Sequence, residues 1–235
     1  MRRDYTALVF DKDGTLFDFH ATWGAWSAGF IQELTGGDPV RRDVLADAMG
    51  YDFAARTFHR SSPVIAETVD VLVAIIHAAL PDMAEADLRA RILETSSHAP
   101  QVEATALVPL LGRLRAEGYA LGIATNDGEA PARTHLGRAG IVEAFDFIAG
   151  YDSGYGGKPG PGMLRAFCDA TGAEPARTVM IGDSTHDLVA GRAAGMATVG
   201  VLTGLATAED LEPHADAVLA DIAALPGWLG LPEPV

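Results

Sequence analysis

The chain has 235 residues, of which 49% are hydrophobic, and a formal net charge of −15 at pH 7. That length suits one elaborated domain or a core carrying a smaller insert, with ample apolar content for a sizeable interior. So acidic a balance argues against nucleic acid and against an anionic membrane surface as partners, and the single cysteine, Cys168, has no mate for an internal disulfide.

The start, Met1-Arg2-Arg3-Asp4-Tyr5, runs directly towards a first strand and leaves no room for a signal peptide, so a cytoplasmic monomer or homodimer is expected. Thr6-Ala7-Leu8-Val9-Phe10 is a short apolar, β-branched run, which predicts a strand buried on both faces. Asp11 leaves that strand at its carboxyl end, the edge where open parallel sheets bind ligands, and Gly14 supplies the turn away from it. On an extended backbone Asp11 and Asp13 point to one side, and two carboxylates so close call for a metal or a shared proton. Lys12 is expected on the other side, snorkelling or paired with an acid.

From about Phe17 to Gln101 the pattern becomes helical. Trp23, Trp26, Ser27, Phe30 and Leu34 follow three-and-four spacing, closed by Gly36-Gly37. Arg41 to Met49 and Asp52 to His59 read as shorter helices. Pro63 opens an apolar helix over Val64 to Leu80, ended by Pro81, and Glu85 to Ser96 completes the set. The apolar helix contains Glu67, Asp70 and His77, too many polar groups in too short a run to span a bilayer. Linkers are expected near Phe17–Thr22 and near His98–Thr105.

Beyond the insert, strands and helices alternate, which predicts a doubly wound, Rossmann-like parallel sheet of the α/β class. A helix from Pro109 precedes a strand over Tyr119 to Thr125, whose terminal hydroxyl suits either a phosphate oxygen or a helix cap. Phe145 to Gly150 reads as the next strand, and the six-glycine loop from Gly150 to Gly162 carries Lys158. An ammonium is a compact point charge suited to one phosphoryl oxygen. Cys168 falls in a helix and reads as packing. Thr178 to Ile181 predicts another buried strand ending at Gly182-Asp183, with Asp187 in the first turn of the following helix; Asp183 alone would suit an N-cap, but two acids at this edge suit magnesium. Ala197 to Leu202 and Ala215 to Leu219 are expected as outer strands.

Four stretches, Asp11-Lys12-Asp13-Gly14-Thr15-Leu16, Ile123-Ala124-Thr125-Asn126, Lys158-Pro159-Gly160-Pro161 and Gly182-Asp183-Ser184-Thr185-His186-Asp187, stand in the order of the four motifs of the haloacid dehalogenase-like hydrolases. The chain resembles most closely their phosphoglycolate phosphatase-like branch, with a helical cap inserted after the first motif. The resemblance implies a core over residues 1–16 and 102–235, a cap over 17–101, and a small phosphorylated metabolite as substrate. It implies Asp11 as the nucleophile that becomes an aspartyl-phosphate and Asp13 as general acid and then base. Thr125, the amide of Asn126 and Lys158 would hold the phosphoryl group. Mg2+ would sit on Asp11, the backbone carbonyl of Asp13 and Asp183, with Asp187 as a further ligand or one step removed.

Two positions depart from the pattern: Lys12 stands where the family usually has an apolar residue, and Gly162 where it often has a helix-capping aspartate. Dehalogenases resemble the chain in the nucleophile but lack an acid at the place of Asp13, and phosphonoacetaldehyde hydrolases need a cap lysine that the insert does not contain. A β-phosphoglucomutase-like mutase and a catalytically silent binding protein are the remaining alternatives. Phosphoglycolate is the substrate the resemblance suggests, and His20, Arg56, His59, Arg60 and Ser61 are the cap candidates for a second anionic group.

Overall fold

A computed structural model of the chain describes residues 4–232. Met1 to Arg3, on which part of the expected leaderless start rests, and the last three residues of the proline-rich tail lie outside the described residues. Strand β1 (Ala7–Phe10) is buried along its whole length. Leu8 and Phe10 pack into one apolar cluster while Ala7 and Val9 pack into another, so the sheet is covered on both faces. The first cluster takes side chains from α5 (Leu107–Ala116) and α6 (Glu129–Arg138), and the second from α7 (Gly162–Thr171) and α8 (Thr185–Ala194).

The sheet has six parallel strands in the order β5-β4-β1-β6-β7-β8. The new members are β4 (Ala120–Ala124), β5 (Phe147–Ala149), β6 (Thr178–Gly182), β7 (Ala197–Val201) and β8 (Ala217–Leu219). After β1 the chain builds outward through β4 and β5, then returns to the other side of β1 at β6. That reversal opens a crevice at the carboxyl ends of β1, β4 and β6. Phe10 is in register with Ile123 and with Ile181, so Asp11, Thr125 and Asp183 emerge together. The doubly wound α/β expectation agrees with this sheet, and each core strand lies within about two residues of its predicted position.

Between β1 and α5 the chain forms α1 (Ala25–Leu34), α2 (Pro39–Ala48), α3 (Val69–Ala79) and α4 (Glu85–Ser96) around a separate apolar cluster containing Phe30, Leu45, Val73 and Leu88. Helix α2 begins as its sequence dictates, with Pro39 in the first turn and the Asp38 carboxylate accepting from the amides of Val40 and Arg41. The two linkers run side by side: Asp18 N donates to Val102 O at 2.8 Å and Ala104 N to Leu16 O at 2.9 Å. Among the described residues, no helix is long and apolar enough to cross a membrane.

Two local expectations need correction, and one helix is unexpected. Asp52 to His59 is a short hairpin, β2 (Tyr51–Asp52) against β3 (Thr57–Phe58), because the Asp52 carboxylate accepts from the amides of Ala54 and Ala55 and closes a turn in place of a helix. The apolar helix begins at Val69; Val64 to Thr68 is a turn, with Ala66 at φ 60°. Helix α6 has no counterpart in the sequence reading, since Pro131 and Gly137 and a mostly polar composition blur its periodicity. Short helices α9 (Ala208–Leu211) and α10 (Leu225–Trp228) finish the chain. Gly162 shows why an aspartate is absent there: a Cβ at this position would lie 1.9 Å from the Tyr155 carbonyl oxygen.

Candidate active site

At the crevice the core loops converge on a buried group of charges. The Lys158 ammonium lies 2.7 Å from Asp11 Oδ1 and 2.6 Å from Asp187 Oδ1. Burial works against its charge, but the two carboxylates outweigh that and hold it above its ordinary value. Asp11 is pushed up to about 7, chiefly by burial, with Lys158 pulling the other way and Asp187 and Asp13 adding to the rise. Burial, then Asp11 and Asp187, also hold Asp183 well above the usual carboxylate range.

Each side chain is held by its element. Ser184 is the N-cap of α8, and Asp187 closes a capping box with it, accepting at Oδ2 from Ser184 N (3.0 Å) and Ser184 Oγ (2.8 Å). Its other oxygen thus faces Lys158. The capping alternative for Asp183 falls away, because Ser184 takes that place. Asp183 instead lies against Thr15 Oγ1 at 3.4 Å and against two glycines; a Cβ on Gly14 or Gly204 would come within 2.4 or 1.7 Å of its carboxylate.

Asp11, Asp183 and Asp187 present oxygens within 4.8 Å of one another. Three buried carboxylates faced by one lysine leave negative charge unbalanced, and an all-oxygen donor set in a glycine-lined cradle fits a hard divalent cation such as Mg2+. Asp13 lines the same cavity, half-buried, and its side chain stands outside that trio. Thr125 is buried at the end of β4, its Oγ1 accepting from Asp127 N at 3.1 Å, and it lines the cavity with Asn126. The Asn126 side chain is engaged elsewhere: Nδ2 donates to Ala66 O (2.7 Å) and Lys158 O (2.9 Å), and Oδ1 accepts from Lys158 N (2.8 Å). It therefore fixes the lysine loop to the insert.

Lys12 departs from expectation. Its side chain is fully buried and bonds Asp13 itself, at 2.8 Å to Oδ1 and 2.7 Å to Oδ2, as well as Asp127 Oδ2 at 3.2 Å. It pairs with acids, as predicted, but on the same side as Asp13 and with no snorkelling. Burial opposes the ammonium, and Asp13 and Asp127 more than restore it. His135 Nε2 donates to Ser96 O at 2.9 Å, which leaves Nδ1 to accept from Lys12 at 3.1 Å. Burial and the neighbouring Lys12 push this imidazole down to about 4, which keeps it neutral. Asp127 and His135 carry no motif signal; an acid two residues after Thr125 is the one hint in the sequence.

The cap candidates do not reach the cavity. His20, Arg56, His59, Arg60 and Ser61 are all exposed and absent from its lining. Arg60 instead pairs with Asp210 of the core at 2.7 Å, and His20 contacts the Thr57 hydroxyl. The cavity roof is built by Phe19, Trp23, Trp26, Phe58 and the turn Val64 to Thr68, residues that read in the sequence as ordinary helix packing.

Residues 5–195 match the family described as haloacid dehalogenase-like hydrolase. The chain is 32% identical over 239 residues to a phosphoglycolate phosphatase of Rhodospirillum rubrum, covering 97% of this chain and 92% of that one. It is 27% identical over 210 residues to the pyrophosphatase PpaX of Bacillus velezensis, covering 89% and 88%. Its fold is similar to the crystal structure of a predicted phosphoglycolate phosphatase from Haemophilus somnus, with a TM-score of 0.71 at 20% identity over 96% of this chain and 98% of that one.

Proposed function

The chain belongs to the haloacid dehalogenase-like hydrolases and is a phosphatase, and from that premise we propose that it hydrolyses small phosphate monoesters through a phosphorylated Asp11, with magnesium as cofactor. The observation that carries this reading is the meeting of Asp11, Asp183, Asp187 and Lys158 at the switch point of the sheet, with the Lys158 ammonium 2.7 Å from the Asp11 carboxylate. The names of the relatives differ in substrate, phosphoglycolate in one and pyrophosphate in another, so they support the class of reaction and leave its substrate to the site.

In the proposed cycle an Asp11 oxygen attacks phosphorus, the bond to the alcohol oxygen breaks, and Asp13 gives its proton to the departing alkoxide. Water then attacks the aspartyl-phosphate, Asp13 takes a proton from it, and inorganic phosphate leaves with Asp11 restored. Lys158 and the Thr125 hydroxyl offset charge on the transferring group. Magnesium held by Asp11, Asp183 and Asp187 would supply further positive charge at this same place. Lys12 fixes the orientation of Asp13. The core, residues 1–16 and 102–235, carries the chemistry in this reading, and the cap, 17–101, closes over it to exclude water.

The test is inorganic phosphate release from a panel of small monoesters with magnesium or with chelator. Activity should require magnesium and should fall roughly a thousandfold or more in Asp11→Asn, which keeps the shape of the site. Undiminished release in that variant would sink the proposed nucleophile.

A further inference from the structure

Within this reading of the chain as a phosphatase, we propose that the alcohol half of its substrate is compact, uncharged and mainly apolar, and that a carboxylated alcohol such as glycolate is disfavoured. The cavity has a volume of about 130 Å³, which the phosphoryl group and the alcohol half share, so the alcohol is compact. Its floor holds the acids and Lys158. Its roof is aromatic and aliphatic, from Phe19, Trp23, Trp26, Phe58 and Leu72, and the one ionisable residue on that side is Glu67.

Lys158 is the sole cation among the residues lining the cavity, and Asp11 and Asp187 already hold it at the phosphoryl end. A second anionic group would therefore enter low-dielectric space beside Glu67 with no counter-charge, an arrangement that desolvation makes costly. The arginines of the roof-forming segment do not help, since none lines the cavity; Arg60, Arg89 and Arg91 are paired with Asp210, Asp70 and Glu33.

Apart from Glu67, the polar residues of the roof, Ser27, Thr68 and Ser96, are neutral. A carbonyl, ether or hydroxyl oxygen on the alcohol half meets them without importing charge, whereas a carboxylate would remain unneutralised there. The aromatic faces around them suit a ring or a short branched chain.

The experiment compares kcat/KM for benzyl phosphate, ethyl phosphate and phosphoglycolate, which share primary alkoxide leaving groups, in the presence of magnesium. Benzyl phosphate should exceed phosphoglycolate by about tenfold or more. Leu72→Arg, which places a cation in the roof, should narrow that preference about tenfold. Phosphoglycolate turned over as well as or better than benzyl phosphate overturns the inference and leaves the phosphatase reading intact. Should no ester release phosphate from the folded protein, the phosphatase reading falls, and calorimetric binding then decides the pocket. Benzylphosphonate bound more tightly than phosphonoacetate supports the apolar assignment, and the reverse order overturns it.

Discussion

The chain contains two lysines, Lys12 and Lys158, and each is buried between two carboxylates. Lys158 faces the cavity, while Lys12 lies behind Asp13, 5.5 Å from the ring of Trp23. Replacing Lys12 with methionine keeps its volume but leaves Asp13 and Asp127 without a cation. Such breakage of a buried pair should cost about 3–5 kcal/mol. Urea unfolding would read this, and adding Asp127→Asn should recover part of the loss by removing one of the stranded charges. The motif acids were legible in the sequence because strand-end placement and spacing put them at one edge whatever the packing. The surroundings of Lys12 were not, because its partner His135 lies 123 residues away on a helix with no clear periodicity. Alternation along a strand also stops being a guide at a strand's end, where Lys12 turns back to the side of Asp13.

At the scale of elements, the turn Val64 to Thr68 decides how the roof sits on the core. The Ala66 carbonyl accepts from Asn126 Nδ2 at 2.7 Å and from His186 Nδ1 at 3.0 Å, one residue from the loop after β4 and the other from the first turn of α8. Ala66 takes a left-handed conformation to do this, with φ 60°, at a cost of roughly 1–2 kcal/mol for a residue bearing a Cβ. Tertiary contacts thus override the apolar periodicity that predicts helix from Val64 onward. Because two donors share one strained residue, His186→Ala should raise hydrogen exchange across Val64 to Thr68 by about tenfold while leaving the sheet amides unchanged. Equal protection in the variant would mean that Asn126 alone holds the turn.

For the whole molecule, stability and metal binding are tied to pH through the same acids. Folded and free of metal, the chain holds Asp11 at about 7 against an ordinary value of 3.8, so between those values it binds more protons than the unfolded chain. Its stability therefore falls as pH rises through that window, and Asp183 acts in the same direction. His135 works oppositely: its lowered value makes stability rise with pH between about 4 and 6.5. The difference in Tm with and without magnesium cancels the histidine, which lies away from the cluster. That difference should widen from about pH 6 to pH 8, with apparent magnesium affinity rising about tenfold as the metal ceases to compete with the Asp11 proton. A Tm difference that is flat over this range would place the metal elsewhere. At this scale the sheet and its helical insert were legible from composition and alternation alone, but the closeness of roof to floor was not, since it depends on pairs such as Arg60–Asp210 that join distant segments.

The two linkers that hydrogen-bond at Asp18–Val102 and Leu16–Ala104 give the insert the topology of a hairpin loop. More than eighty residues leave and rejoin the core at neighbouring points, so their presence changes the chain-closure entropy only logarithmically with length, by roughly 0.6 kcal/mol for each doubling. Lengthening, shortening or exchanging that segment therefore places almost no demand on the register of β1 with β4 and β6. The pocket that selects a substrate can vary from one descendant to the next as an interchangeable cassette, while the acids that do the chemistry remain where the strands leave them.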